Sequence, residues 1–162
     1  NGSLPSELLK MTTRAENSVQ LLADAADDFD RLATAFEEHF GEKISLSSGY
    51  RNLQDQIITK QKKIDEDKSS QAATPGKSKH GFGIAIDINT TYEEVTGFKS
   101  KIYKWMSENA HKYNWEHPPW ARDGHDYRSG DIKTDGAGKP VKRSKNDEAW
   151  HWEYIGPGIE IK

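Results

Sequence analysis

The sequence predicts an α+β fold in which a small antiparallel sheet is flanked by helices. Helical and extended patterns alternate along the chain in the order α, β, α, β, α, β. The chain has 162 residues, a length that suits one domain with a single hydrophobic core. It contains no internal repeat and no low-complexity tract. We therefore expect a single domain over residues 1–162.

Three helices are predicted, the first of them from apolar residues that recur at steps of three and four. It covers residues 18–40 and ends at Gly41, a residue type that commonly follows a helix. A second helix fits residues 52–64. A third fits roughly residues 97–113, whose apolar side is formed by Phe98, Ile102, Trp105, Met106 and Ala110.

Four short strands complete the predicted elements. Residues 43–48 form the first strand, and residues 84–88 form the second. Residues 114–115 open a short third strand, and residues 149–155 form the last. Residues 1–18 have no clear period, and we expect the first five of them to be an extended lead-in that packs on the domain.

Residues 121–147 differ in composition from the rest of the chain. They are rich in Gly, Asp, Lys and Arg, and Asp135-Gly136 and Gly138 are turn signals. We interpret them as a long insert in the domain, in the form of a hairpin. Their lysines and arginines are typical of a solvated loop, and contact with anionic polymers is the alternative.

Charge and composition exclude several classes of function. The net charge of −3 argues against a nucleic-acid-binding surface. The absence of cysteine excludes disulfides, cysteine-based zinc fingers and thiol nucleophiles. No apolar run approaches the roughly 18 residues of a membrane span. Six histidines and 26 acidic residues leave metal binding by nitrogen and oxygen atoms as the open chemical route.

The pattern over residues 78–88 indicates a loop that runs into a strand carrying a metal ligand. Three isoleucines alternate with Ala85 and Asp87, which is the period of a pleated strand with one apolar face. An acid on a face of otherwise small residues needs a partner such as a cation. His80 lies in the loop before the strand, and His151 is the best candidate for a third ligand.

Two imidazoles and one carboxylate, with a fourth position left for water, form the open arrangement of a catalytic zinc site. The alternative is a buried pair of His80 and Asp87 that holds no metal. A hydrolytic site also needs a base near the water, and Glu148 and Glu153 both flank His151. In a regular strand Glu153 shares the face of His151, so the alternation alone favours Glu153. Glu148 can serve only if it lies on a bend before the strand.

Two motifs carry a resemblance to a known family. They are Ser78-x-His80-x-x-Gly83-x-Ala85-x-Asp87 and, further along, Glu148-x-x-His151. The pattern resembles the zinc D-alanyl-D-alanine peptidases of the VanY and VanX type, with phage endolysin peptidases and hedgehog-like relatives. Further stretches that agree are Ser48-Gly49-Tyr50-Arg51 with Gln56, Pro75-Gly76, the helix from Trp105 to Tyr113, and Trp150-His151-Trp152-Glu153-Tyr154. The resemblance spans nearly the whole chain; the insert at 121–147 is longer than in many relatives.

The resemblance implies a role for each candidate site residue. It implies a Zn²⁺ ion on His80, Asp87 and His151. It implies Glu148 as general base and acid, and Arg51 as the residue that meets the substrate backbone or the tetrahedral intermediate. Ser78 and Gln56 would bind or orient the substrate. A guanidinium suits the role of Arg51 because it offers fixed, permanently charged donors.

The implied function is a zinc metallopeptidase that hydrolyses stem peptides of bacterial peptidoglycan, as a D,D-carboxypeptidase or as an endopeptidase of the phage-lysin type. The rival is a non-catalytic, zinc-containing module that binds the cell wall. We expect a peptidoglycan peptide as partner, no nucleic acid, no membrane span and a monomer. The ends of the sequence, which show no signal peptide, fit a module of a larger phage or secreted protein. Its expected place is the extracellular cell wall or the phage virion.

Overall fold

The fold is a small antiparallel sheet with helices packed on it, seen in a computed structural model. The structure describes residues 2–50, 57–58, 60–62, 79–89, 98, 100–118, 121, 136–137 and 148–156. Most of the predicted insert at 121–147 and most of the predicted helix at 52–64 lie outside the described residues. Those residues of the second helix that are described, 57–58 and 60–62, are helical, as predicted.

The central sheet has four strands in the order β3-β4-β6-β5, and every neighbouring pair is antiparallel. The strands are β3 (Leu46–Ser48), β4 (Ala85–Ile88), β5 (Trp115–Glu116) and β6 (His151–Tyr154). All four predicted strands are present. Three of them are shorter than predicted, and β5 begins one residue later than predicted. The α+β class and the small antiparallel sheet are therefore confirmed.

The first helix, α1, covers Ala23–Phe40. Its buried face consists of apolar residues at helical spacing: Ala25, Ala26, Phe29, Leu32, Ala33 and Phe36. The helix ends at Gly41, whose φ of +74° and N–H bond to the carbonyl of Glu37 form a left-handed cap. The predicted start at residue 18 is wrong, because Gln20–Leu22 form a strand, β2, before the helix begins.

An N-terminal hairpin was not predicted from the sequence. Strand β1 (Leu9–Met11) pairs with β2 in antiparallel register. The buried Thr12 holds the turn, since its N–H donates to the carbonyl of Val19 and its hydroxyl accepts from the N–H of Val19. The lead-in packs on the domain, where Gly2 donates its N–H to the carbonyl of Gly81.

The two faces of the central sheet differ in character. One face is apolar, and there Trp115 lies across from Tyr154 and packs edge-on against Phe29 of α1, with ring centroids 6.1 Å apart. Burial of such large side chains stabilises the fold by about 1.5–3 kcal/mol each. The opposite face carries Asp87 and His151, which are direct cross-strand partners in β4 and β6. The apolar face thus provides a rigid base for a polar site.

The last described helix, α2, covers Lys101–Asn109 and is capped by Ser100, whose hydroxyl accepts the N–H of Tyr103 at 3.0 Å. It continues as a 3₁₀ turn over Ala110–Tyr113, which agrees with the predicted end at residue 113. Trp105 packs edge-on against Phe36 of α1. Among the described residues, no helix has the length and apolar character that a membrane span requires.

Candidate metal centre and active site

Three predicted metal ligands, His80, Asp87 and His151, come together on the polar face of the sheet. One possible ligand atom from each lies within 4.8 Å of the other two. Nε2 of His80 is 3.4 Å from Oδ1 of Asp87, and Nδ1 of His151 is 2.9 Å from the same oxygen. Ligands around a tetrahedral zinc ion with bonds of about 2.1 Å lie ~3.4 Å apart. The spacing of the two imidazoles around the carboxylate fits one small cation.

Different elements bring these three side chains together. Asp87 and His151 face each other because they are partners in the register of β4 and β6. His80 lies in a 3₁₀ turn, Lys79–Phe82, directly before β4. Gly83 ends this turn with a φ of +71°, and its N–H donates to the carbonyl of His80 at 3.1 Å. The turn folds the loop back over the strand, as the sequence predicts for a ligand seven residues before Asp87.

His80 is oriented by a backbone carbonyl. Its Nδ1 lies 2.8 Å from the carbonyl oxygen of Gly49 and 3.3 Å from the hydroxyl of Ser48. A carbonyl oxygen only accepts hydrogen bonds, so Nδ1 carries a hydrogen, and Nε2 is the nitrogen that faces Asp87. The side chain is 6% exposed, so the surrounding atoms also restrict the orientation of the ring.

Gly49 is required at its position by close packing. A Cβ atom on this residue would lie 2.6 Å from Cβ and Cγ2 of Val19, a distance that real Cβ atoms essentially never show. The next residue, Tyr50, donates its N–H to the carbonyl of Gln20 at 2.7 Å. The N-terminal hairpin therefore fixes the carbonyl that orients His80.

His151 bridges two carboxylates. Its Nδ1 is 2.9 Å from Asp87, and its Nε2 is 2.9 Å from Oε2 of Glu153. Burial lowers the pKa of His151, but the hydrogen bonds to both carboxylates outweigh it and raise the pKa to about 10. Burial raises the pKa of Asp87, but the charge and hydrogen bonds of His80 and His151 hold it well below its usual range. Asp87 is thus kept ionised, which is the state that binds a cation.

Glu148 lies before β6 rather than in it. It is 8% exposed, and the turn at residues 148–150 leads into the strand that begins at His151. Its backbone is held from two sides, because its N–H donates to Ala121 and its carbonyl accepts from Nε2 of His117 at 2.7 Å. The negative charge of Glu148 contributes to the raised pKa of His151. The bend that the sequence alone left open is therefore present.

Sequence reasoning missed His117 as a support of the site. The ring is buried and packs against Trp152 with centroids 5.0 Å apart. Its Nδ1 accepts from the hydroxyl of Tyr103 at 3.2 Å, while Nε2 donates to Glu148. Both ring nitrogens bond to protein partners, so we interpret His117 as a structural residue that supports Glu148. No spacing signal in the sequence links His117 to Glu148.

Three further predicted site residues lie outside the described residues. They are Arg51, Ser78 and Gln56. Arg51 comes two residues after Gly49, and Ser78 comes two residues before His80. Arg51 is therefore close in sequence to the residue that orients His80, and Ser78 is close in sequence to His80 itself.

The donor set fits zinc. It consists of two imidazole nitrogens and one carboxylate oxygen, which are the ligand types of catalytic zinc sites. Each imidazole has its other nitrogen on an oxygen acceptor, as is usual for metal-binding histidines. The cluster is largely buried, and its carboxylate is ionised.

Comparison with known proteins identifies similar sequences and folds. Residues 18–130 match the family model described as VanY, D-alanyl-D-alanine carboxypeptidase. A D-alanyl-D-alanine carboxypeptidase of Enterococcus faecalis is 30% identical over 124 residues, which is 68% of this chain and 40% of that protein. The chain spans less than half the length of the curated relatives it matches.

Two solved structures show the same fold. The LdcB LD-carboxypeptidase aligns with a TM-score of 0.65 at 22% identity, over 98% of this chain and 72% of that one. A mutant of the vancomycin resistance D,D-pentapeptidase VanY, in complex with Zn(II), aligns with a TM-score of 0.61 at 22% identity. That alignment covers 94% of this chain and 83% of the other.

Proposed function

The chain belongs to the VanY family of D-alanyl-D-alanine carboxypeptidases, and we propose that it is a zinc metallopeptidase acting on stem peptides of bacterial peptidoglycan. The observation that carries this proposal is the convergence of His80, Asp87 and His151 on one point. The charge of Glu148, three residues before His151, acts on the pKa of His151 and supports a place for this acid at the same site. A D-alanyl-D-alanine carboxypeptidase among the relatives supports the substrate class. We propose further that residues 1–162 form one catalytic domain.

His80, Asp87 and His151 would hold the zinc ion. When bound there, zinc acts as a Lewis acid that polarises a carbonyl and makes a water molecule acidic near neutral pH. The solved VanY structure in complex with Zn(II) supports this choice of metal. The chain contains no cysteine, so imidazole and carboxylate ligands are the ones it can offer.

Glu148 is the proposed general base and acid. Its carboxylate would accept a proton from the attacking water and return it to the leaving amine, since general bases act within hydrogen-bond reach of such protons. Its backbone is fixed by Ala121 and His117, which limits the positions that the carboxylate can take. Burial strengthens its electrostatic effect on the reaction because the local dielectric is low.

The remaining residues are proposed to hold the substrate. Arg51 would donate hydrogen bonds to the substrate carbonyl or carboxylate, and its sequence position directly after Gly49 and Tyr50 supports this. Ser78 and Gln56 would orient the peptide, and the insert at 121–147 would shape the cleft. Both a D,D-carboxypeptidase and a phage-lysin endopeptidase are consistent with this arrangement. Action on peptidoglycan places the protein at the cell wall.

Digestion of defined muropeptides, followed by mass spectrometry of the products, tests the proposal. The wild type should release a product at a bond next to a D-amino acid. Glu148→Gln should lower kcat by ~10²–10⁴-fold, the usual contribution of a general base, while zinc content stays unchanged. Glu108→Gln is the matched control, because Glu108 is exposed on α2.

Two outcomes would contradict the proposal. Equal activity of Glu148→Gln and the wild type would remove Glu148 as the base. Stoichiometric zinc without any product from the wild type would favour a module that binds the cell wall without turnover.

A further inference from the structure

We propose that Glu153 is a positioning residue that fixes the tautomer and orientation of His151, so that Nδ1 is the nitrogen presented to the metal. The proposal rests on the proposed role of His151 as a zinc ligand. It gives Glu153 a function other than that of catalytic base, which the alternation of the strand alone had suggested.

The contact between Glu153 and His151 is short and buried. Oε2 of Glu153 lies 2.9 Å from Nε2 of His151, and the two residues are 8% and 5% exposed. A carboxylate only accepts hydrogen bonds, so Nε2 carries a hydrogen towards Glu153. Nδ1 faces the carboxylate of Asp87 at 2.9 Å, so a cation held between these two side chains would replace the hydrogen of Nδ1 and leave that of Nε2 in place.

The strand register places Glu153 correctly for this contact. Residues 151 and 153 lie on the same face of β6 because side chains alternate along a strand. The cross-strand partner of Glu153 on β4 is Ala85, whereas the partner of His151 is Asp87. The small side chain of Ala85 leaves room for the carboxylate of Glu153 beside the His151 ring.

The same contact separates Glu153 from the reacting atoms. The two nitrogens of an imidazole point away from each other, so a carboxylate bound to Nε2 lies on the far side of the ring from a metal on Nδ1. The two acids that flank His151 therefore have different functions. Glu148 lies before the strand and is the proposed base, while Glu153 lies in the strand and holds the ring of His151.

A carboxylate on the outer nitrogen also makes the imidazole a stronger ligand, because the negative charge raises its basicity. The effect is large where water is excluded. We therefore expect Glu153 to contribute to zinc affinity as well as to geometry.

Zinc affinity is measured by chelator competition for the full chain and three variants. Glu153→Leu removes the acceptor and should weaken zinc binding by ~10–100-fold, the usual loss for an outer partner of a ligating histidine. Glu153→Gln keeps an acceptor oxygen and should lose less than about tenfold. Glu116→Gln is the matched control, since Glu116 is the β5 partner of Glu153, and its affinity should equal that of the wild type.

Nitrogen-15 NMR of the histidine rings in the zinc-loaded protein gives a readout independent of activity and of overall stability. In the wild type, His151 should show a protonated Nε2 with slow exchange and a metal-bound Nδ1. In Glu153→Leu this Nε2 proton should exchange faster, and Glu153→Gln should restore part of its protection. If Glu153→Leu does not fold, Glu153→Gln provides the test. The proposal then requires that Glu153→Gln binds zinc measurably more weakly than the wild type and that its His151 Nε2 proton exchanges faster.

The inference is overturned if Glu153 variants that fold bind zinc as tightly as the wild type and keep the same Nε2–H signal. Failure of the wild type itself to bind zinc would instead overturn the proposed function. The two failures are therefore distinguishable in one set of samples.

Discussion

The two histidines of the site face the same carboxylate but are held in different ways. Nδ1 of His80 is held by the backbone carbonyl of Gly49 in a loop, whereas Nε2 of His151 is held by the side chain of Glu153 within β6. One histidine therefore presents Nε2 to Asp87, and the other presents Nδ1. The position of His80 depends on backbone packing, and that of His151 on the sheet register and one replaceable carboxylate.

The loop side of the site is built by the N-terminal hairpin. Gly83 accepts the N–H of Leu22, and Tyr50 donates to Gln20, so β2 contacts both segments that surround His80. The sheet side is anchored at the far end of β6. There the hydroxyl of Tyr154 donates to Asp28 of α1 at 2.5 Å. Substitutions should affect the two sides differently.

Loss of the shared acid should have the largest effect, because it affects both histidines at once. Asp87→Asn should weaken zinc binding by more than the ~100-fold that loss of an outer partner costs. Chelator competition measures this loss. Asp24→Asn, at an exposed position in the first turn of α1, is the control. A loss of less than tenfold would show that Asp87 is not a ligand.

The second largest effect is expected from disruption of the turn that holds His80. Gly83→Ala places a Cβ at a φ of +71°, and this atom would lie 2.9 Å from the backbone nitrogen of Leu22. Gly41→Ala is a matched control, since Gly41 has a similar φ of +74° but no atom within 4 Å of a Cβ. The left-handed backbone costs each variant about 1–2 kcal/mol, and overpacking should cost Gly83→Ala ~1–3 kcal/mol more.

Urea unfolding of both glycine variants measures the difference in stability, and chelator competition measures zinc affinity. Gly83→Ala should also bind zinc more weakly, because His80 lies in the turn that Gly83 ends. Equal losses of stability for the two variants would contradict the close contact between Gly83 and β2.

The anchor of β6 on α1, formed by Tyr154 and Asp28, can be weakened at a distance from the predicted metal ligands. Asp28 accepts hydrogen bonds from Tyr154, Asn114 and Arg31. Asp28→Asn should therefore reduce the free energy of unfolding by about 1–3 kcal/mol while zinc affinity stays within a factor of about two, well short of the ~10-fold lower bound for loss of an outer partner. A loss of zinc affinity of ~10-fold or more in Asp28→Asn would contradict the account, because it would show that the contact between Asp28 and Tyr154 also controls the metal site.

The Asp28 cluster also predicts a dependence on pH. Burial raises the pKa of Asp28, but the hydrogen bonds from Tyr154 and Asn114 and the charge of Arg31 outweigh it and lower the pKa below the ordinary value of an aspartate. The carboxylate therefore stabilises the fold above the unfolded pKa, and this contribution is lost as the pH falls through the lower folded pKa. The difference in the free energy of unfolding between the wild type and Asp28→Asn should be largest at pH 7 and should become smaller in acid. A difference that grows in acid would contradict the sign of the shift.

The smallest effect is expected for Ser48→Ala. The hydroxyl of Ser48 is 3.3 Å from Nδ1 of His80, while the carbonyl of Gly49 is nearer, at 2.8 Å. The carbonyl remains in the variant, so zinc affinity should change by less than about threefold, below the range for loss of an outer partner. A tenfold loss in chelator competition would show that the hydroxyl, not the carbonyl, orients His80.

The metal cluster could be predicted because its signals are local. Alternating isoleucines around Asp87 indicate which face of β4 is polar, and His80 lies in the loop directly before it. The contact with His151 required the second motif as well, since strand pairing brings together residues 64 positions apart. Ligation by these residues stays a prediction that the geometry supports.

Other features could not be predicted from the sequence, because they depend on tertiary contacts that leave no pattern in it. Strands β1 and β2 have three residues each, too few for an alternating pattern, and the leucines of β2 continue the helical spacing of α1. The bend at Glu148 depends on contacts with Ala121 and His117. The contact between Glu153 and His151 follows from the strand alternation, but the choice between base and positioning residue required the distance.

Zinc K-edge X-ray absorption spectroscopy, on protein loaded with one equivalent of zinc, tests most directly that His80, Asp87 and His151 bind one ion. We predict a first shell of nitrogen and oxygen at about 2.0–2.2 Å, with the multiple scattering of two imidazoles. His151→Ala should reduce that contribution to one imidazole. A shell of oxygen atoms alone in the wild type would contradict the account.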